Sequence, residues 1–94
     1  MNIRWTANAV ENLTSARRYA AVENEKAADD LLLKILDGVR QLEAFPDCGR
    51  EGWVRNTREL VIASTPYIVA YRIKRNTIQV LAILHGRRRW PMSF

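Results

Sequence analysis

Cysteine and histidine are scarce in this sequence, and long apolar runs are absent. The single Cys48 excludes an internal disulfide framework, and with only one histidine in the chain no credible zinc site remains. No stretch reaches the length of a membrane-spanning helix, and we also expect no secretory signal. We therefore expect a cytoplasmic protein without cofactor or metal. Its 94 residues make one small domain, for which a partner that covers apolar surface would add stability.

Basic charge is concentrated in the second half of the chain. Residues 1–49 carry six Lys/Arg and eight Asp/Glu, a net charge of −2, whereas residues 50–94 carry nine Lys/Arg and two Glu, a net charge of +7. The sum is the net charge of +5 of the whole chain. This asymmetry favours an acidic partner, which can be a nucleic acid or a protein.

The hydrophobic patterns predict an α+β fold with the order β-α-α-β-β-β, in which a helix hairpin packs on a small antiparallel sheet. Thr6 and Asn24 are the predicted N-caps of the two helices, and Pro46 stops the second helix after Phe45. The predicted segments of the single domain 1–94 are an edge strand at 1–5, the helix hairpin at 7–45, a three-stranded meander at 58–85 and a basic tail at 86–94.

The turns of the meander predict its register. A short polar turn between Lys74 and Thr77 would place Arg72 opposite Gln79. A three-residue connection at 64–66 would place Arg58 beside Arg72 on the neighbouring strand. Side chains alternate between the two faces of a sheet, so this register also assigns each residue to a face.

Glu59 falls on the face that meets the helices, whereas Arg58, Arg72, Gln79 and His85 fall on the other face, which we expect to be basic and partly open. The apolar residues of the helix side would be Val61, Val69, Tyr71, Ile78, Val80, Ala82 and Leu84, and those of the basic side Leu60, Ile62, Ala70, Leu81 and Ile83. A β-bulge before the second strand of the meander would instead bring Glu59 to the face of Arg72.

Three segments resemble the RelE/ParE superfamily of toxins from type II toxin–antitoxin systems. They are TREL from Thr57, TPYIVAYRI from Thr65 and ILHGRRRWP from Ile83, and the resemblance covers essentially the whole chain. RelE-like members cleave mRNA in the ribosomal A site, whereas ParE-like members poison DNA gyrase and have no known catalytic centre of their own. The ending His85-Gly86-Arg87-Arg88 is more similar to the ParE type.

The resemblance implies a growth-inhibiting toxin that is neutralised by its cognate antitoxin. The antitoxin would bind through an acidic, amphipathic C-terminal segment, in a heterotetramer or a larger assembly. The expected target is DNA gyrase, in which case the toxin is not itself an enzyme. The alternatives are a ribosome-dependent mRNA endoribonuclease, with ribosome and mRNA as partners, and a non-toxic basic binding module.

An endoribonuclease needs a base, an acid and a cation that stabilises the reacting phosphate. Some mRNA-cleaving relatives use a Glu, an Arg and a His in the order in which Glu59, Arg72 and His85 occur, and Arg58 is a further candidate. In the structural alternative, His85 fixes the departure of the tail, and Arg72 forms a cross-strand pair with Gln79. The residues that we expect to contact target or antitoxin are Trp53, Arg87, Arg88, Arg89, Trp90 and Phe94.

Overall fold

Two helices pack on one face of a five-stranded sheet in the computed structural model, which describes residues 1–86. The elements are β1 (Asn2–Trp5), α1 (Ala7–Glu23), α2 (Glu25–Gln41), β2 (Arg50–Glu51), β3 (Arg58–Val61), β4 (Tyr67–Lys74) and β5 (Thr77–His85). The strand order is β1-β5-β4-β3-β2, and β1 is parallel to β5 while the other pairs are antiparallel. The predicted α+β fold is confirmed, although the sheet is mixed and includes the short β2.

Side-chain caps begin both helices at the predicted residues. Thr6 Oγ1 and Asn24 Oδ1 each accept a hydrogen bond from the backbone N–H three residues further on, at 3.1 Å. α2 ends at Gln41, four residues before the predicted end at Phe45. Hydrogen bonds between residues three apart tighten the chain after Gln41 and satisfy the last carbonyls of the helix. Neither helix in residues 1–86 is long and apolar enough to cross a membrane.

The core lies between the helices and the sheet. Its main cluster consists of Ala9, Ile35, Val39, Ile62, Val69, Val80 and Ile83, and a second cluster consists of Leu42, Tyr71 and Ile78. Gly38 lets α2 approach β3 closely, because a Cβ atom at this position would lie 2.5 Å from Ile62 Cδ1. α2 therefore packs directly against the helix side of β3.

The predicted register of β3 is wrong by one residue. Arg58 is paired with Tyr71, and Ile62 N donates to Tyr67 O at 3.1 Å, so four residues instead of three connect the strands. Ser64 in this connection has a positive φ of 64°, which a simple three-residue link does not anticipate. The shift reverses the faces of β3, so that Leu60, Ile62 and Arg58 lie on the helix side and Glu59 and Val61 on the opposite side.

A β-bulge in β5 changes the faces a second time. The predicted pair Arg72–Gln79 is confirmed, and the two-residue turn that leads to it has positive φ at Arg75 (51°) and Asn76 (59°). Beyond this part, Tyr71 pairs with Val80 but Ala70 pairs with Ala82, so Leu81 is the extra residue. As a result Ile83 and His85 face the helices, whereas Ala82 and Leu84, both predicted on the helix side, face away from them.

Side chains of α1 stabilise this bulge. Asn8 Nδ2 donates to the Leu81 carbonyl at 3.0 Å, and Ile83 N donates to Asn12 Oδ1 at 3.1 Å. Thr6 Oγ1 also donates to the Val80 carbonyl, at 2.9 Å. In a regular strand such backbone groups bind the neighbouring strand. Here they bind side chains at the start of α1 and its N-cap, which stabilises the bulge.

Candidate functional site

The face of the sheet opposite the helices is called the outer face below. Its strand residues are Asn2, Arg4, Arg50, Glu59, Val61, Ile68, Ala70, Arg72, Lys74, Thr77, Gln79, Ala82 and Leu84. The row Val61–Ile68–Leu84 is apolar, and Val61 is 53% exposed. Ala70 and Ala82 in the centre are buried, and polar side chains occupy the end near the β4–β5 turn.

His85 lies on the helix side of the sheet, at the end of β5 and opposite Tyr67. The two rings make an edge-to-face contact, with 5.5 Å between their centroids and 80° between their planes. The histidine also lines a depression with α1, to which Asn12, Ser15 and Tyr19 contribute. The predicted placement of His85 on the face of Arg72 is wrong, because the bulge lies between the two residues.

Arg72 lies on the outer face, where its Nε donates to Gln79 Oε1 at 2.6 Å. The predicted cross-strand pair is therefore present. Arg72 is half-buried, and its guanidinium makes no ion pair within residues 1–86. The sheet itself separates Arg72 from His85, since one side chain projects from each face.

Glu59 lies on the same face as Arg72, in contrast to the prediction. Its carboxylate is 7% exposed and has a partner at each oxygen. Oε1 accepts from Arg50, with both Nε and Nη2 at 3.1 Å, and Oε2 accepts from the Trp53 backbone N–H at 2.7 Å. These bonds attach the segment around β2 to β3, which gives Glu59 a structural role.

Arg58 lies on the helix side and not beside Arg72 as predicted. Its Nη1 donates to the Gly49 carbonyl at 2.9 Å and to the Asp47 carbonyl at 3.3 Å. Its Nη2 lies 3.6 Å from Asp47 Oδ1. Arg58 and Arg72 still meet at the rim of one open depression at the end of β3, together with Arg55. The four candidates for RNA cleavage are therefore not gathered at one site. Glu59 and Arg72 project from the outer face, whereas Arg58 and His85 project from the helix side.

The buried side chain of Tyr71 is hydrogen-bonded to the loop before β2. Tyr71 is fully buried, and its hydroxyl donates to the Pro46 carbonyl at 2.8 Å and accepts from Gly49 N at 2.9 Å. Burial raises the pKa of the Tyr71 hydroxyl, an effect that the bond from Gly49 partly opposes. The predicted position of Tyr71 on the helix side is confirmed, but its bonds to the loop were not predicted.

The residues predicted to contact target or antitoxin fall into two groups. Trp53 is 74% exposed and is available for such a contact. Arg87, Arg88, Arg89, Trp90 and Phe94 lie outside the described residues. Cys48 is an exposed free thiol, and no cluster of His, Cys, Asp and Glu within residues 1–86 has the composition of a metal site.

Arg4 is a further cation of the outer face that was not predicted as a site residue. The structure pairs Arg4 with Gln79, which is itself paired with Arg72, so the three side chains form one row on the outer face. The parallel pairing of β1 with β5 creates this row. A four-residue strand carries no signal for its partner or direction, so the arrangement could not be found from the sequence.

Comparison of the structure with solved structures identifies the class of protein. A chain of the chromosomal ParDE toxin–antitoxin system from P. aeruginosa superimposes with a TM-score of 0.84 and 26% sequence identity. The match covers 90% of this chain and 95% of that chain. The fold is therefore that of a toxin–antitoxin protein, and sequence comparisons define the family.

The family model for the ParE toxin of the type II toxin–antitoxin system parDE matches residues 3–90. The Sinorhizobium fredii protein Y4kP is 37% identical over 89 residues, which cover 95% of this chain and 92% of Y4kP. Toxin RelE2 of Caulobacter vibrioides is 29% identical over 84 residues, which cover 89% of this chain and 93% of RelE2. The chain belongs to the ParE toxin family. It is thus the toxin of a type II toxin–antitoxin system, and a cognate antitoxin is its partner.

Proposed function

We propose that this toxin inhibits growth by acting on DNA gyrase and has no catalytic centre for RNA cleavage. The observation that supports the proposal is the separation of His85 from Arg72 on opposite faces of the sheet. Attack of a 2′-hydroxyl on a phosphate requires the base, the acid and the stabilising cation to surround one phosphate. A rigid sheet between two of these groups opposes that arrangement.

The environment of Glu59 supports the same proposal. A general base needs a carboxylate oxygen that can accept a proton from the substrate within hydrogen-bond reach. Both oxygens of Glu59 already accept hydrogen bonds, from Arg50 and from the Trp53 backbone, and the side chain is almost completely buried. Substrate access would require the segment around β2 to detach from β3.

We further propose that the antitoxin covers the groove between α2 and β3. The groove is lined by Lys34, Asp37, Gly38, Gln41, Leu60, Val61, Ile62 and Ala63. Its apolar wall includes Leu60 and Ile62 on the helix side of the sheet, and the exposed Lys34 provides a cation beside them. An acidic, amphipathic C-terminal segment of the antitoxin fits this combination, and we expect a heterotetramer or a larger assembly.

The test is a pulse of toxin expression without antitoxin, in cells from which RNA and gyrase–DNA complexes are both analysed. We expect covalent gyrase–DNA complexes to accumulate, while mapping of RNA 5′ ends gives no cuts phased with codons. The variant His85→Ala should remain toxic, provided that it still binds the antitoxin as a check of folding. Codon-phased cuts that disappear in His85→Ala, without trapped gyrase, would refute the proposal in favour of an endoribonuclease.

A further inference from the structure

Two rows of polar side chains cross three strands at one end of the outer face. The register joins Arg4, Gln79 and Arg72 in one row, and Asn2, Thr77 and Lys74 in the next. Partners in both parallel and antiparallel pairs project from the same face of a sheet, so the six side chains lie next to one another. These six residues are called the cationic rows.

The three cations of these rows are close together. Asp47 and Glu51 line the same open depression as Arg72 but form no ion pair with it. Neighbouring strands lie about 4.8 Å apart, which places the Cα atoms of Arg4 and Arg72 about 10 Å apart. Arg72 and Lys74 are two residues apart on β4, a separation of about 7 Å. None of the three makes an ion pair within residues 1–86. On the outer-face strands the only carboxylate is Glu59, which is already paired with Arg50.

The neutral members of the rows are hydrogen-bonding groups. Asn2, Thr77 and Gln79 offer amide or hydroxyl donors between the cations, and the bond from Arg72 to Gln79 holds the guanidinium on the sheet. The combination of Arg or Lys with Asn, Gln and Thr is typical of surfaces that contact phosphate oxygens. Arg75 in the adjoining turn is exposed and adds a fourth cation.

The absence of apolar groups from the rows argues against a protein partner here. Protein interfaces are centred on buried aromatic and apolar anchors, with charges at the rim. The six residues of the cationic rows are all polar, and they belong to regular strands, so the cations have fixed spacings. An extended polyanion matches such a surface better than an acidic protein patch does.

We propose that the cationic rows bind the phosphate backbone of duplex DNA, a contact that the toxin would use on the DNA held by gyrase. The use at gyrase rests on the proposed function, whereas the DNA contact itself rests on the rows alone. Because the rows would read phosphates and not base edges, binding should be independent of sequence and strongly dependent on salt.

The test uses the full chain, freed from its antitoxin, and a fluorescently labelled duplex of mixed sequence whose binding is followed by anisotropy over a range of salt concentrations. The row variant is Arg4→Gln, Arg72→Gln and Lys74→Gln together. The control is Arg18→Gln, Lys26→Gln and Arg40→Gln, which removes the same charge from exposed positions on the helices. Arg87, Arg88 and Arg89 remain in every variant, so their contribution is a constant background.

We expect the row variant to lose affinity by about tenfold or more at low salt, and the slope of log K against log salt to fall by about 0.9 for each phosphate contact removed. The control should bind like the parent protein, and circular dichroism should give the same fold for all three. Unchanged binding by the row variant, or an equal loss in the control, would overturn the proposal. Tighter, row-dependent binding to single-stranded RNA than to the duplex would also overturn it.

The row variant also distinguishes a contact with DNA from a contact with gyrase itself. If the row variant binds DNA like the parent but fails to bind purified gyrase in the absence of DNA, the rows contact protein and the proposal is wrong. The same variants scored for covalent gyrase–DNA complexes in cells separate the two hypotheses. Trapped gyrase without row-dependent DNA binding refutes only the inference, whereas row-dependent DNA binding without trapped gyrase refutes only the proposed function.

Discussion

Replacement of Tyr71 by phenylalanine should destabilise the toxin through two lost hydrogen bonds. The hydroxyl connects the Pro46 carbonyl with the Gly49 backbone N–H, and Gly49 is buried. Phenylalanine fills the same space but leaves this N–H without an acceptor, which costs about 1–3 kcal/mol. The half-buried Pro46 carbonyl can turn towards water and adds less. We therefore expect a loss of about 2 kcal/mol from a total that is about 5–15 kcal/mol for small domains.

Urea denaturation and thermal melting measure this loss. With an m-value of about 1–3 kcal/mol/M, the urea midpoint should fall by about 1 M. The melting temperature should fall by about 8–16 °C, since each kcal/mol corresponds to about 4–8 °C in a domain of this size. The control is Tyr19→Phe, because Tyr19 is 73% exposed and its change should stay within about 0.5 kcal/mol. Equal effects of the two substitutions would refute the assigned role of the Tyr71 hydroxyl.

The raised pKa of Tyr71 gives the same pair of proteins a pH dependence. Burial favours the neutral phenol, so the folded pKa lies above the unfolded value of 10.0. The stabilisation by this group is therefore complete below pH 10 and declines as the pH rises from 10 through the raised folded pKa. Phenylalanine lacks this titration, so the difference in stability between parent and Tyr71→Phe should shrink above pH 10. A difference that grows with pH would show that the sign of the shift is wrong.

Two further substitutions test the bonds around Glu59 and the bulge. Glu59→Gln should cost about 1–2 kcal/mol. The glutamine has only one oxygen, so either Arg50 or the Trp53 N–H would face an NH2 group instead of an acceptor. Urea denaturation measures the cost, and hydrogen exchange at the Trp53 amide should become faster. Asn12→Ala should cost about 1–2 kcal/mol by leaving Ile83 N–H without its acceptor, which urea denaturation and exchange at the Ile83 amide can follow.

Matched controls exist for both substitutions. Glu51→Gln removes an exposed carboxylate from β2, in the segment that Glu59 contacts. Ser15→Ala changes an exposed position on α1, the helix that contains Asn12. Both should change stability by less than about 0.5 kcal/mol. If Glu59→Gln leaves exchange at Trp53 unchanged, Glu59 does not hold the segment around β2. If Asn12→Ala is as mild as Ser15→Ala, the bulge does not depend on the helix.

Features set by neighbouring residues could be predicted from the sequence. The two N-caps depend on the residue and the N–H three positions later, and the pair Arg72–Gln79 depends on a turn of two residues between them. The helix-side positions of Val69 and Val80 follow from alternation near that turn. In each of these cases the local chain contains all the interactions that decide the structure.

Features set by distant contacts could not be predicted. The bulge at Leu81 depends on Asn8 and Asn12, which are more than 70 residues earlier in the chain. The face on which Glu59 lies depends on the connection between β3 and β4, which is one residue longer than predicted. The row that contains Arg4 depends on the parallel pairing of β1 with β5. The structure therefore gives the candidate residues other neighbours than the sequence predicted.

The bulge also affects how motifs should be transferred between relatives of this toxin. A motif that counts residues from Arg72 to His85 assumes that each step along β5 changes the face, and one extra residue at Leu81 breaks that parity. A relative with the same spacing but with apolar residues at positions 8 and 12 would lack the groups that hold the bulge. Its β5 should run as a regular strand, and its histidine would then project from the same face as its arginine. Two toxins with identical C-terminal motifs can therefore differ in surface chemistry because of two positions in the first helix.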